Sequence, residues 1–184
     1  MKINIDPKKI EEFLTRGVEN VYPNKEYVKK QLLSGKKLKM YLGIDPTGPT
    51  LHMGHAVPLR KLKEFQELGH DVILLIGDFT AMIGDPTDKS STRKQLTRGE
   101  VLNNCKIYKK QASTFLKFGF WGAKLKYNSE WLGKMNFADV VKLASKMTVQ
   151  QMLERDMFKI RIDEKRPIHI HEFLYPLMQG YDSV

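Results

Sequence analysis

Cysteine is almost absent from this sequence of 184 residues, since Cys105 is the only one. A single cysteine excludes an internal disulfide and argues against a cysteine-based zinc site. No apolar run approaches the roughly 20 residues of a membrane-spanning helix, so we expect no membrane partner. The first residues also lack the apolar core of a signal peptide. These absences predict a cytoplasmic protein.

Acidic residues are too few to balance the basic ones, with 31 Lys and Arg against 21 Asp and Glu and a net charge of +10. The lysines are spread along the chain rather than gathered in one run. Such an excess is typical of proteins that bind nucleic acid or nucleotide phosphates. It is equally typical of a lysine-rich solubilising surface, and composition alone leaves both interpretations open.

Internal repeats and low-complexity segments are lacking as well, and the hydrophobic pattern alternates between strands and helices. The apolar run at residues 71–77 predicts a buried strand, with further strands at 38–44 and 125–128. Helices are predicted over residues 8–34 (with a break near 22–24), 53–68, 99–118, 137–146, 148–160 and 172–184, and an irregular loop over 78–98.

The alternation of strands and helices predicts an α/β fold class, with a Rossmann-like parallel sheet and flanking helices. We expect residues 1–36 to form an N-terminal helical segment and residues 37–184 to form the sheet domain. Ligands of such sheets bind beyond the carboxyl ends of the strands, so the loops after the first two strands should meet there.

A helix that begins with two histidines follows the first predicted strand. His52 and His55 are three residues apart, on either side of Gly54. Helix N-termini favour phosphates, and both imidazoles face the same side of the first turn. A capped helix start with incidental histidines is one alternative, and a metal pair is another, although no third ligand is nearby. We favour a nucleotide site, in which Gly54 lets a flat base approach the backbone.

Three polar side chains share one stripe of the last predicted helix. Tyr175, Gln179 and Asp182 are spaced i, i+4 and i+7. A phenol, an amide and a carboxylate in one row suit a ligand with polar groups at both ends. A half-exposed amphipathic helix is the alternative. We expect the stripe and the two histidines to line one cleft.

Three motifs together resemble the class I aminoacyl-tRNA synthetases and, among them, the bacterial tyrosyl-tRNA synthetases. They are YLGIDPT with HMGH at residues 41–47 and 52–55, GDFTAMIGDPT at 77–87 and YPLMQGYD at 175–182. The resemblance spans nearly the whole chain. It implies a ligase that activates L-tyrosine with ATP and Mg²⁺ and then transfers the tyrosyl group to tRNA(Tyr).

The resemblance also implies roles for the matching positions. Tyrosine would be bound by Tyr41, Asp85, Tyr175, Gln179 and Asp182. ATP would be bound by Gly43, Asp45, Pro46, Thr47, His52, Gly54 and His55. Catalysis would rest on Thr47, His52 and His55, together with Lys89 and Arg93 of a basic loop that closes on the pyrophosphate. No metal held by the protein is expected, and phenylalanine would be rejected because it leaves Asp182 unpaired.

The resemblance further implies a longer, homodimeric enzyme of which this chain is the front part. The second lysine-rich signature of the class would follow Val184, so we expect little turnover from these 184 residues alone. Residues 140–147 and 149–152 are candidates for the dimer contact, with core packing as the alternative. An HxGH nucleotidyltransferase, a tryptophan-specific synthetase and a non-catalytic module that binds tyrosine or RNA remain open.

Overall fold

The computed structural model describes residues 3–86 and 96–184. The strands are β1 (Lys39–Ile44), β2 (Asp71–Ile76) and β3 (Lys124–Tyr127). The helices are α1 (Pro7–Thr15), α2 (Lys25–Leu33), α3 (Met53–Glu67), α4 (Thr80–Ile83), α5 (Arg98–Asn104), α6 (Tyr108–Ala112), α7 (Ser129–Leu132), α8 (Phe137–Ala144), α9 (Val149–Leu153), α10 (Asp156–Asp163) and α11 (Leu174–Tyr181). Short 3-10 turns cover Cys105–Ile107 and Ile170–Phe173.

The three strands form one parallel sheet in the order β1-β2-β3. The central strand β2 is the most apolar, and Val72, Leu74 and Ile76 are each at most 2% exposed. This burial on both faces is the reason for its continuous hydrophobic run. The predicted Rossmann-like α/β fold class is confirmed.

The chain divides into two compact units. The first comprises Met1–Ile44, Pro49–Leu75 and Cys105–Lys126, and the second comprises Asp45–Gly48, Ile76–Asn104 and Tyr127–Val184. The chain crosses from one unit to the other at the loop after β1 and near the carboxyl ends of β2 and β3. The predicted division after residue 36 stays a prediction.

In the first unit, α1 packs against α3 through aromatic and lysine contacts. The rings of Phe13 and Phe65 are 5.7 Å apart. Lys61 of α3 donates hydrogen bonds to the carbonyls of Phe13 (3.0 Å) and Arg16 (2.9 Å) at the end of α1. These two carbonyls have no partner within the helix that ends there, so Lys61 satisfies groups that the helix leaves open.

In the second unit, a small apolar cluster positions α11. Its buried members are Leu132, Tyr175 and Met178, and partly buried side chains pack around them: Phe79, Ile83, Trp131, Met135 and Leu174. The chain entering α11 is further fixed by Arg161, which bonds to the carboxylate of Glu172 and to the carbonyl of Pro167. Two ends of one guanidinium thus hold α10 against the segment that leads into α11.

Two of the long helices predicted from sequence are interrupted. In place of the single helix predicted over 99–118, the structure has α5, a 3-10 turn and α6, and α6 ends at Ala112. Asn104 turns its side chain to the carbonyl of Pro46 (3.0 Å), and Ser113 bonds back to Lys109 (2.7 Å) where the helix stops. The helix predicted over 148–160 is likewise two, α9 and α10, because the backbone of Arg155 is extended.

Shorter elements also differ from the prediction. The loop expected over residues 78–98 contains α4 and the beginning of α5 in the part that the structure describes. The last helix begins as a 3-10 turn, and α11 ends at Tyr181, so that Asp182 is its C-terminal cap. The helix α7 was not predicted at all.

Candidate active site

In the first unit, the histidine motif forms a capping box at the start of α3. The side chain of His52 accepts a hydrogen bond from the N–H of Gly54 through Nδ1 (3.1 Å). His55 in turn accepts from the N–H of His52, again through Nδ1 (3.2 Å). The two rings lie 3.9 Å apart. The interpretation as a capped helix start is therefore correct, and both imidazoles are part of the cap.

The capping box also fixes which nitrogen of each ring carries the proton. A neutral imidazole that accepts through Nδ1 carries its hydrogen on Nε2 and can donate there. Burial, and secondly the neighbouring His52, lower the pKa of His55, which keeps that ring neutral. Each histidine therefore retains one N–H donor, beside a helix N-terminus that already favours anions. Capping and phosphate binding are compatible uses of these residues.

The need for glycine at position 54 has a local cause in the structure, besides the predicted approach of a nucleotide base. A Cβ at this position would lie 2.9 Å from Cε1 and 3.0 Å from Nδ1 of His52. Glycine is therefore the residue that lets the ring of His52 fold back over the first turn as a cap.

In the second unit, Asp45 lies among hydroxyl groups. Thr80 donates to Oδ1 of Asp45 (2.7 Å), and the phenol of Tyr175 donates to Oδ2 (2.9 Å). The sequence separation of Asp45 and Tyr175 is 130 residues, and the structure brings them into direct contact. Gly77 makes room for this arrangement, because a Cβ there would lie 1.9 Å from Oδ1 of Asp45.

Asp182 is held by two donors from the segment that follows β3. Trp131 donates from Nε1 to Oδ1 of Asp182 (2.8 Å), and Asn128 donates from Nδ2 to Oδ2 (3.3 Å). Asn128 is completely buried. It also donates to Thr80 (3.0 Å) and accepts from the N–H of Phe79 (2.9 Å), which links Asp182 to the strand-end loop.

The predicted rejection of phenylalanine assumes that Asp182 has no other hydrogen-bond partner. Asp182 has protein donors on both oxygens, so it is not unpaired when no phenol is present. A carboxylate accepts more than two hydrogen bonds. A substrate hydroxyl would therefore use a remaining lone pair, and an amino acid without the hydroxyl would leave only that lone pair unused.

Asn128 and Trp131 are the site residues that sequence reasoning missed. Their position carried a signal, because polar residues just beyond the carboxyl end of a strand are where parallel sheets bind ligands. The start of α7 is fixed in the same segment by Asp78, which accepts from the N–H (3.0 Å) and the hydroxyl (2.6 Å) of Ser129.

The cluster in the second unit carries an excess of negative charge. Burial raises the pKa of Asp45 to about 6 from 3.8, and the charges of Asp85 and Asp182 add to the rise. Burial also raises the pKa of Asp182 and, together with the neighbouring carboxylates, that of Tyr175. Half-buried carboxylates of this kind favour a cationic ligand, which would relieve the repulsion that Asp85 and Asp182 exert on Asp45.

The remaining predicted residues fall into three groups. Tyr41 and Gly43 lie on β1, in the first unit with His52, Gly54 and His55. Pro46, Thr47, Asp85 and Gln179 lie in the second unit with Asp45, Tyr175 and Asp182, and Gln179 is exposed. Lys89 and Arg93 lie outside the described residues.

No group of three or more His, Cys, Asp or Glu side chains within residues 3–86 and 96–184 is arranged to hold a metal ion. Over the same residues, none of the helices combines the length and the apolar character that a membrane crossing requires.

A half-buried carboxylate cluster beyond a parallel sheet and a histidine-capped helix are the features expected of a class I synthetase. The family described as tRNA synthetases class I (W and Y) matches residues 33–184. The chain belongs to this family, which confirms the resemblance drawn from its three motifs and favours a synthetase over a nucleotidyltransferase.

Within the family, the chain is similar to tyrosine enzymes. It is 57% identical over 176 residues to the tyrosine–tRNA ligase of Carboxydothermus hydrogenoformans, covering 94% of this chain and 42% of that protein. The tyrosine–tRNA ligase of Moorella thermoacetica is 54% identical over 174 residues, with 93% and 42% coverage. The chain thus spans well under half the length of these relatives.

A solved structure shows the same similarity in three dimensions. The C-terminally truncated mitochondrial tyrosyl-tRNA synthetase of Aspergillus nidulans superposes with a TM-score of 0.83 at 26% identity. The match covers 94% of this chain and 52% of that one.

Proposed function

We propose that the protein carrying this chain is a cytoplasmic tyrosine–tRNA ligase. The observation that carries the proposal is the carboxylate cluster of the second unit, in which Asp182 is oriented by Trp131 and Asn128 while Asp45 bonds to Tyr175. One end of this cluster suits a phenol hydroxyl, and its half-buried negative charge suits an ammonium group. L-Tyrosine has both groups.

The ammonium of the substrate would be bound by Tyr175, Gln179 and Asp85. The phenol oxygen of Tyr175 donates to Asp45, so its lone pairs are available to accept a hydrogen bond from the ammonium. The substrate hydroxyl would donate to Asp182, and Tyr41 would reach the same hydroxyl. Asp182 suits this role because its two protein donors hold the carboxylate in one orientation.

The first reaction step is the attack of the tyrosine carboxylate on the α-phosphorus of ATP. An oxygen–phosphorus bond forms, the bond to the β-phosphate bridge breaks, and pyrophosphate leaves. This step needs no protein nucleophile, so catalysis consists of positioning and charge stabilisation. Mg²⁺ would enter as part of the ATP substrate, bound mainly by the phosphates.

The ATP-binding groups assigned by the resemblance have matching chemistry. The Nε2–H groups of His52 and His55 are donors for phosphate oxygens, and Thr47 is an exposed hydroxyl in the loop after β1. Gly43, Asp45, Pro46 and Gly54 would line the adenylate pocket. Lys89 and Arg93 would bind the departing pyrophosphate. In the second step, the terminal ribose hydroxyl of tRNA(Tyr) attacks the tyrosyl carbonyl and AMP leaves.

A homodimer is the second part of the proposal, with α8 and α9 at its interface. The helix α8 has no buried residue although it reads FADVVKLA. Its Phe137 is 84% exposed and its Val141 is 52% exposed, while Val149 of α9 is 65% exposed. The exposed apolar side chains of α8 and Val149 favour a subunit contact, whereas Met152 of α9 is buried in the core. Val141→Glu should convert the dimer to a monomer in light scattering, and an unchanged mass would exclude this interface.

Calorimetry tests the tyrosine site directly. The protein should bind L-tyrosine, and Tyr175→Phe should weaken binding because the substrate ammonium loses an acceptor. L-Phenylalanine and L-tryptophan should bind more weakly than tyrosine. Tighter binding of tryptophan would assign the protein to the other amino acid of the family, and no binding of any amino acid would overturn the proposal.

A further inference from the structure

Two large aromatic side chains stand almost fully in solvent on the first unit. Phe120 is 88% exposed and Trp121 is 81% exposed. Their rings are 4.9 Å apart in an edge-to-face arrangement at 86°. Adjacent exposed aromatic residues are uncommon on a soluble surface unless something binds there. The site assigned above uses neither of them.

The loop that carries these two residues has a defined structure. The N–H of Ala123 donates to the carbonyl of Lys117 (2.7 Å) and closes the loop, here called the aromatic loop (residues 117–123). The side-chain amide of Gln66 on α3 then donates to that carbonyl (2.8 Å) and accepts from the N–H of Lys117 (3.0 Å). The base of the aromatic loop is therefore fixed to a long helix.

Two glycines give the aromatic loop its shape. Gly119 has a φ of +138°, which other residues rarely adopt. A Cβ on Gly122 would lie 2.2 Å from the carbonyl oxygen of Lys117, so no side chain fits there. This backbone directs Phe120 and Trp121 outward rather than into the core, where Leu116 and Ala123 are buried.

The chain around the aromatic loop is basic without exception. No Asp or Glu occurs between Glu100 and Glu130, whereas the same stretch contains six lysines. All six are exposed: Lys106, Lys109, Lys110, Lys117, Lys124 and Lys126. Lys117 is the first residue of the aromatic loop and Lys124 directly follows it. The ammonium of Lys109 lies 5.7 Å from the ring centre of Phe118. The chain on either side of Phe120 and Trp121 thus carries positive charge and no negative charge.

We propose that the aromatic loop is a binding surface for single-stranded RNA. Bases stack on Phe120 and Trp121, and the flanking lysines bind the phosphates on either side. Stacking on aromatic side chains combined with a basic surface is how proteins bind single strands without reading their sequence. The loop precedes β3 and therefore lies at its amino end, whereas the histidine motif follows the carboxyl end of β1. It is a contact outside the tyrosine and ATP site and does not depend on the function proposed for that site.

Fluorescence anisotropy with a labelled oligouridylate of about twelve nucleotides tests the surface on the whole protein. The double variant Phe120→Ser and Trp121→Ser should bind the oligouridylate roughly tenfold more weakly or worse, with the same salt dependence as the wild type. The double variant Lys117→Gln and Lys124→Gln should instead lower the slope of log affinity against log salt by about 1.4. Each phosphate that is no longer neutralised accounts for about 0.7 of that slope.

Tyr22→Ser is the matched control, since Tyr22 is 82% exposed in the same unit but lies outside this basic stretch. It should bind the oligouridylate as the wild type does. Tyrosine-dependent exchange of pyrophosphate into ATP should be equal in all variants, which shows that the fold is retained. Unchanged RNA affinity in the aromatic variant would overturn the proposal. So would binding to phosphatidylserine vesicles that requires both aromatic residues while oligouridylate binding does not.

Discussion

At the residue scale, the candidate site depends on half-buried carboxylates. The charges of Asp85 and Asp182 act on Asp45, and burial is the largest cause of the raised pKa of Asp45. An ammonium group bound beside Asp45 would lower the pKa of Asp45 again. Binding of tyrosine should therefore release protons near pH 6, the pKa of Asp45 in the free protein.

The raised pKa of Asp45 makes a prediction about stability. Between about pH 4 and pH 6, the folded protein holds a proton on Asp45 that the unfolded chain has lost, so stability falls as the pH rises through this window. Asp45→Asn should remove that fall and stabilise the free protein at neutral pH by about 1–3 kcal/mol. Thermal unfolding at several pH values measures the effect.

Asp163→Asn is the control for this experiment, because Asp163 is an exposed carboxylate at the end of α10. Its curve should keep the shape of the wild-type curve. If Asp45→Asn is less stable than the wild type at neutral pH, the buried charge is not the destabilising feature described here.

The indole of Trp131 gives a second prediction at this scale. Trp131→Phe keeps the ring but removes the N–H that donates to Asp182. Because a hydrogen bond to a charged group contributes about 1.5–3 kcal/mol, tyrosine should bind roughly 10–150-fold more weakly. Calorimetry measures the change. Trp121→Phe, at the exposed tryptophan, is the control and should bind tyrosine normally. Equal affinities in all three proteins would show that Trp131 does not orient Asp182.

At the scale of the elements, α3 combines a structural cap and a proposed catalytic group in one side chain. His52→Asn and His52→Ala separate the two. Asparagine caps helices well, so only the alanine variant should lose about 1 kcal/mol of stability. Both variants lack the imidazole donor and should slow tyrosine activation about 10–100-fold while tyrosine affinity stays within about twofold.

Pre-steady-state activation rates and tyrosine dissociation constants on the whole protein decide this. Loss of activation in the alanine variant alone would mean that His52 acts only as a cap. Parallel losses in rate and affinity would mean that it binds the ground state and the transition state equally.

The starts of β1 and β2 are joined by a buried histidine. His70 accepts the N–H of Leu38 through Nδ1 (3.3 Å), while its Nε2 has no partner. Burial lowers the pKa of His70. Below about pH 6.5 the unfolded chain therefore binds more protons than the folded protein, and stability falls as the pH falls. His70→Gln should flatten that fall, and His171→Gln should not. Identical unfolding curves for the wild type and His70→Gln between pH 5 and 7 would contradict this role.

The elements also show which features a sequence can predict. The strands and α3 were predicted within two residues because each has an uninterrupted hydrophobic period. The break at residues 105–107 was missed because its cause is distant in sequence, namely the hydrogen bond of Asn104 to Pro46. Likewise, α11 was found from its motif, but its partners Asn128 and Trp131 were not. Local spacing does not record which segment packs against a helix face.

At the scale of the whole molecule, the two proposed sites use residues of opposite charge from different units. The acidic groups that suit tyrosine are gathered in one compact unit, and the basic stretch between Glu100 and Glu130 falls largely in the other. A net charge alone could not reveal this, because it averages over both units. The proposed tyrosine site, which suits the ammonium group of the amino acid, and the proposed RNA surface thus use different parts of the chain.

The chain covers 42% of the length of the tyrosine–tRNA ligase of Carboxydothermus hydrogenoformans. The activity of the whole protein therefore stays a proposal. The roles assigned to Lys89 and Arg93, and the single cleft expected for the histidines and the α11 stripe, stay predictions.

The most direct test of the central claim is amino-acid-dependent exchange of labelled pyrophosphate into ATP by the whole protein that carries this chain. L-Tyrosine should support exchange, L-phenylalanine and L-tryptophan should support it more weakly, and Asp182→Ala should reduce the preference for tyrosine. Exchange that depends on tryptophan, or tyrosine-dependent exchange that is indifferent to Asp182, would contradict the account.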